Sequence, residues 1–405
     1  MPSSIERCAW LALAALCASA PAQADQQAEL QLWQAYAPQG RERSSTELQW
    51  RQQFGGNWSE QWHWALAPEL RLDSAGRRAG VAAWTNPDAP AAASVQQAYI
   101  GYRQDGWQLR AGKQVFDWSV TDTISPADVI NPRDWSDITR VRKLAVPSLS
   151  LRYGQQTSLE WVWVPRQQVS TMPAGPWLPQ AVSALLAPAQ RHDGAGQHGL
   201  RLSGNWLQTD WALIAYRGHS NAPDLALQMG AQGPVLQPFY QALQAQALTL
   251  ARQVGERNMM RLEVAHKRQA NGVNFVQAVI GGDLEMSGLA NDGDTLYALI
   301  QYADSNQHGT VRNALGWPDF QRVLERNVQV KLSYDPHSDR RQLLELSGTY
   351  NHAQRDSYWQ LSYQRRLTPN LNVTAALAMA GGSADTFWGQ YRDTSRATLQ
   401  WHWRY

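Results

Sequence analysis

Residues 328–334 read Val-Gln-Val-Lys-Leu-Ser-Tyr, with an apolar side chain at every second position and Gln329, Lys331 and Ser333 between them. Successive side chains of a β-strand point to opposite faces, so this pattern specifies a strand with one greasy and one wet side. The same period recurs along the chain. Trp359, Leu361 and Tyr363 alternate with Gln360, Ser362 and Gln364; Trp62, Trp64, Leu66, Leu70 and Leu72 alternate with His63, Glu69, Arg71 and Asp73. The final residues do the same, Ala397, Leu399, Trp401, Trp403 and Tyr405 against Arg396, Thr398, Gln400, His402 and Arg404. Such segments run for about ten residues, the length a tilted membrane strand requires.

Strands are predicted near 27–36, 45–54, 60–73, 95–105, 107–116, 146–154, 157–166, 197–207, 210–219, 246–255, 258–268, 273–286, 294–303, 325–335, 341–351, 357–366, 371–381 and 394–405. With both termini on one side, alternate connections fall into two sets. One set holds only short turns rich in turn-forming residues, such as Gly55-Gly56-Asn57, Gln104-Asp105-Gly106 and Asp335-Pro336-His337-Ser338. The other holds every long connection: 74–94, 117–145, 167–196, 220–245, 304–324 and 382–393. A random strand assignment would scatter the long loops over both sides, and a soluble all-β secreted protein is the alternative reading. Segregation predicts an all-β fold: a transmembrane antiparallel β-barrel of about 18 strands (16–18), with short periplasmic turns and long extracellular loops.

Composition agrees with a lipid-facing barrel. The 20 Trp and 14 Tyr outnumber 6 Phe, as expected where rings need an apolar body in lipid and a polar tip at the headgroups. No apolar run of about 20 residues follows the N-terminal segment, which excludes membrane-spanning helices. Near the start, Arg7 precedes an apolar run from Ala9 to Ala18, and Ala22-Gln23-Ala24 supplies a small-x-small cleavage site. Residues 1–24 are therefore read as an export signal and 25–405 as one barrel domain. Both cysteines, Cys8 and Cys17, lie inside the signal, so no thiol is expected in the mature chain. Only Asp25 and Gln26 separate the signal from the first strand, which argues against a plugged transporter. The net charge of +2 gives no argument for nucleic acid as a partner.

Between two strands lies GKQVFDWSVTDTISPADVINPRDWSDITRVRKLAVPSLSLRYG, residues 112–154. Gly112, Lys113, Gln114, Trp118, Asp122, Asn131, Pro132 and Asp134 make this passage resemble the uncharacterised proteobacterial outer-membrane barrels with a porin-like fold, which are similar to alginate-export-type porins. Ser119 departs from the pattern, where relatives commonly carry glycine. Weaker likeness continues through Arg261-Leu262-Glu263, Gly281-Gly282-Asp283 and 386–393. The resemblance implies an outer-membrane barrel and leaves its substrate open.

Ser125-Pro126 and Asn131-Pro132 impose extended or turn conformations on this connection, and a connection of its length is usually functional. Its charges fall into an acidic set, Asp117, Asp122, Asp128, Asp134 and Asp137, and a basic set, Arg133, Arg140, Arg142 and Lys143. Folded into the lumen, the two sets would sit on opposing sides of a constriction and set selectivity. On the cell surface they would be solvated or would pair with one another. Helices are expected at 180–186 and 223–229 in two further long loops. Trp118, Trp135, Trp177, Trp317 and Trp388 lie in or near long loops, where rings stack on sugars or pack the interface. The alternation at Trp401, Trp403 and Tyr405 also fits the terminal pattern that the barrel-assembly machinery reads.

The nine histidines show no His-x-x-x-His spacing, and no nucleophile elbow or phosphate-cradling glycine loop occurs. No metal, cofactor or catalytic residue is therefore expected. The sequence leaves two main readings: a channel or exporter for a small polar solute, an oligosaccharide or a secreted polymer, or a non-conducting barrel for surface binding or envelope assembly. A hydrolase is the third. Lipids and lipopolysaccharide of the outer membrane, the assembly machinery and an unidentified solute or polysaccharide are the expected partners.

Overall fold

The structure is a computed structural model that describes residues 25–39, 44–74, 93–122, 125–173, 177, 185–187, 196–221, 223–230, 233–306, 325–337 and 341–405. Eighteen antiparallel strands form one sheet that closes on itself. The first strand, Asp25–Tyr36, pairs with the second, Ser44–Asn57, on one side and with the last, Arg396–Arg404, on the other. Closure satisfies every strand edge internally, the condition for backbone to cross a bilayer. Each strand predicted from the alternation is present, with ends displaced by a few residues.

The register assigns the faces. His402 lies opposite Gln31, Gln31 opposite Gln49 and Gln49 opposite Arg71, so these side chains form one row on the lumen wall. The intervening positions face outward. Ile280, Ile300, Met260 and Leu377 are each more than half exposed at such positions, an apolar surface that needs lipid to cover it. Aromatic pairs mark the rim at the short-turn side: Trp62 with Tyr102, Trp107 with Tyr153 and Trp401 with Trp403, at centroid separations of 5.0, 4.3 and 6.2 Å. This is the aromatic girdle of an interface.

Asp25 and Tyr405 lie on the side of the short turns. Asp105 and Gly106, with φ of 49° and 84°, form the two-residue hairpin turn expected of an Asp-Gly pair. The long connections all leave the opposite rim. One expectation there is corrected: 223–229 is not helical. Asp224–Gly230 pairs with Gly233–Phe239 as a hairpin, and Leu227 faces Leu236 across it. Leu225, Leu227 and Met229 alternate, and that period outweighs the helix propensity of Leu, Ala and Met. The helix expected at 180–186 lies outside the described residues except for Leu185 and Leu186, and Trp317 and the signal lie outside them entirely.

Candidate functional site: a loop folded into the lumen

The connection 115–145 turns inward and builds a shelf across the barrel. Its neck is set by Gly112, which adopts a φ of +131°; a Cβ there would collide with the carbonyl oxygen of Ala98. Only glycine meets both conditions. Gln114 follows, buried, its amide donating to Ser148 O at 3.1 Å and accepting from the Ser150 hydroxyl at 3.1 Å. Asn131 closes the neck. Its Oδ1 accepts the Phe116 amide at 2.8 Å and its Nδ2 donates to Leu144 O at 2.7 Å, so one buried side chain ties the start of the loop to its end. Pro132 O accepts the Leu144 amide at 2.8 Å beside it.

From the neck the loop spreads in two directions. Its first half packs an apolar face, Phe116, Trp118, Ala127, Val129 and Ile130, against Val162, Val164, Ile214, Ala245 and Ala265. Those wall positions face inward by register, so the lumen wall is apolar where the shelf covers it. The Trp118 indole donates to Glu160 at 3.0 Å, and a Cβ on Gly199 would lie 2.7 Å from its ring. The far end of this half is held by Glu263, a wholly buried carboxylate on the wall. It accepts the amides of Val120 and Thr121 at 2.6 and 2.9 Å, the hydroxyls of Thr121 and Ser125 at 2.9 and 2.5 Å, and the Ala127 amide at 3.3 Å.

The second half is bolted to the other wall by charge. Arg133-Asp134 pairs with Arg142-Lys143 as a two-residue ladder, so acidic and basic sets are zipped together within the loop. Asp134 also receives Arg71 of the wall at 2.9 Å, and Arg142 reaches Glu69 at 2.6 Å and Asp134 at 3.3 Å. Arg140 bridges Asp137 and Glu47 at 3.0 and 3.1 Å, and Arg396 of the closing strand meets Asp137 at 3.1 Å. Trp33 lies under both guanidiniums, its ring 4.1 Å from Arg140 and 4.8 Å from Arg396. Burial alone would push the Asp137 carboxyl up. Arg396 and Arg140, with the hydrogen bonds of Thr139, overcome it and hold the group well below its ordinary range.

The nine charged loop residues singled out from the sequence therefore divide by place. Asp134, Asp137, Arg140 and Arg142 are anchors in the ion-pair network. Asp117 is exposed and pairs with Lys143 at 2.7 Å, and Lys143 also meets Asp128 at 3.1 Å. Asp122, Asp128 and Arg133 line a cavity of about 1240 Å³ that remains between the shelf and the uncovered wall. Lys267, Gln277, Tyr297, Gln329, Lys331 and Glu345 of the wall line the same cavity. Asp128 pairs with Arg133 at 2.7 Å and Lys331 with Glu345 at 3.0 Å, so much of the lining charge is matched locally. The opposing arrangement expected of the acidic and basic sets is not what joins the loop residues: they pair with each other and with the wall.

Glu47, Glu69, Arg71, Glu160, Glu263 and Arg396 escaped the sequence reading as loop partners. Each stands at a lumen-facing position of a strand, where polar residues are expected, so alternation marked the face without marking the contact. Above the shelf, the loop tryptophans pack together. Trp177, Trp388, Phe387, Tyr391, Leu236 and Ile138 form a second buried cluster with Trp135 against it.

No family model and no curated protein matches the chain. Solved structures do. OccK11 (OpdR) of Pseudomonas aeruginosa is 10% identical with a TM-score of 0.53, over 94% of this chain and 95% of that one. OccK1 (OpdK) of the same organism is 11% identical with a TM-score of 0.52, over 94% and 98%. OccK5 (OpdH) is 11% identical with a TM-score of 0.51, over 95% and 97%. The fold is that of an outer-membrane porin barrel. At these identities the likeness extends to the porin barrel fold alone.

Proposed function

We propose that the chain is an outer-membrane diffusion channel for a small polar solute, exported through a cleaved signal at 1–24 and narrowed by the inward loop 115–145. The observation that carries this reading is the shelf itself. A closed barrel with a wet inner face is spanned by a loop fixed on two walls, and among the described residues a cavity with charged and polar residues in its lining stays beside it. Fixing a loop in the middle of the lumen by buried carboxylates and guanidiniums is costly in desolvation, and it serves to set the width and the lining of a passage. The cavity favours a small solute over a secreted polymer.

A second reading, a non-conducting barrel that binds at the cell surface, draws on the aromatic roof around Trp177, Trp388 and Tyr391. Planar-bilayer recording decides between them. Discrete conductance steps from the purified, refolded chain support the channel. A protein that inserts and never conducts supports the binding barrel. Swelling of loaded liposomes in neutral sugars of increasing size then gives the size limit. Intact-mass measurement of the chain from membranes checks the cleavage, with a mature chain that begins at Asp25 expected.

A further inference from the structure

On the short-turn side of the shelf, one sector of the lumen wall carries an excess of guanidinium. The register places Arg103 opposite Gln108, Gln108 opposite Arg152, Arg152 opposite Glu160 and Glu160 opposite Arg201, a single row across five neighbouring strands. Arg110 stands one pleat above, between Gly101 and Ser150. Four cations thus surround Glu160, the only acid on the inner face of these strands, and the loop carboxylate that also acts on Arg201, Asp117, is paired with Lys143 at 2.7 Å. Glu160 is already engaged by the Trp118 indole at 3.0 Å and by Arg110 at 3.6 Å. Among the described residues no carboxylate lies within ion-pair distance of Arg152 or Arg201, and the buried Nε of Arg201 has no hydrogen-bond partner. Elsewhere in the lumen several cations are matched by acids: Arg261 meets Asp283, Lys331 meets Glu345, Arg257 meets Glu285 and Arg71 meets Glu47.

We infer that this sector is a capture site for an oxyanion group, a carboxylate or a phosphate, on a solute that reaches it from the short-turn mouth. A planar guanidinium presents paired donors that match either oxyanion. An unpartnered buried donor gains most from such a ligand, because it carries the full cost of desolvation without one. Gln108, set between Arg103 and Arg152, adds a neutral polar group to the same row. The shelf closes the site toward the long loops, since Trp118 sits on Glu160 from above. The inference rests on the water-filled lumen of the channel reading, but binding needs no conductance.

The test is titration calorimetry of the folded full-length mature chain in non-ionic detergent at low salt, with inorganic phosphate and acetate as separate probes. The parent is expected to bind one of them, or both, saturably and less tightly as salt rises. The double variant Arg152→Gln, Arg201→Gln is expected to weaken that binding by about tenfold or more, the effect of losing charged hydrogen bonds. Arg268→Gln, at an exposed position on the outward face, should bind as the parent does. Response to a single probe assigns the group. The inference is overturned if the parent binds neither anion, or if the double variant binds as the parent does. Should the double variant fail to refold by gel shift, Arg152→Gln alone, an exposed position without an ion pair, carries the same comparison. A barrel that binds and never conducts would refute the channel and leave the site standing.

Discussion

Arg71 on the third strand and Asp134 in the inward loop lie 2.9 Å apart, both almost wholly buried. A charge taken from water on each partner makes this contact a fastening that fails hard when half of it is removed. Arg71 would keep Glu47, but Arg142 and Arg71 together would face a vacated site. Asp134→Ala is therefore expected to cost about 3–5 kcal/mol of loop anchoring. Larger or noisier single-channel steps than those of the parent should result, with gel-shift mobility of the barrel retained. Unchanged steps would show that the loop is held without this pair.

Glu263 is the corresponding fastening on the other wall, and it is made of hydrogen bonds to a carboxylate rather than of ion pairs. Each is worth about 1.5–3 kcal/mol. Glu263→Ala should free residues 119–128 and widen the passage, whereas Glu263→Gln, which keeps one acceptor oxygen, should show a smaller increase. Conductance and limited proteolysis within 119–128 check the order of the three proteins. Equal protection of all three would place the hold elsewhere.

Acid provides a third check. Asp137 has its folded pKa lowered, so its contribution is fully present above the ordinary carboxylate value near 3.8 and is lost as pH falls through the folded one. Loop anchoring by Asp137 should thus be flat from pH 7 to about 5 and erode only below about 4. Conductance recorded at stepped pH in the parent and in Asp137→Asn tests this. The variant should lose the acid-dependent part of the change that Asp137 causes.

Asn131→Ala should open the neck of the loop. It leaves the Phe116 amide and the Leu144 carbonyl without their side-chain partner, a penalty of about 1–3 kcal/mol for each buried group. Faster backbone hydrogen exchange at 115–118 and 143–145 than in the parent is the expected result, with the strands unaffected.

Tyr405→Ala should lower the yield of inserted barrel without changing the conductance of molecules that fold. The ring is exposed at the short-turn end, on the outward side of the closing strand, away from the lumen. Insertion at the parent level would remove Tyr405 from any assembly signal.

The limits of the sequence are visible in single residues. The period-two alternation of Trp401, Trp403 and Tyr405 against Gln400, His402 and Arg404 determined strand, face and barrel, because the pleat is a local property and each face meets one solvent. The same holds for Asp105-Gly106, whose turn is written in two residues. Even the mistaken helix at 223–229 was a local misreading, since Leu225, Leu227 and Met229 carried the strand period. What the loop charges do was decided elsewhere. Asp137 meets Arg396 across 259 residues of chain, and Glu263 meets Thr121 across 142. An acidic and a basic set in one loop fit a surface, a constriction or a zipper equally well until the walls around them are known. Closure of the barrel brings Glu47, Glu69, Arg71 and Arg396 to one side and Glu263 to another, and the low solvent access between them turns ordinary lumen charges into anchors. Local alternation was enough to set the barrel and its wet face. That the loop enters the lumen, which charges hold it there and which guanidiniums stay unmatched follow from the assembled walls, because pairing energy depends on distance and desolvation that no local pattern encodes.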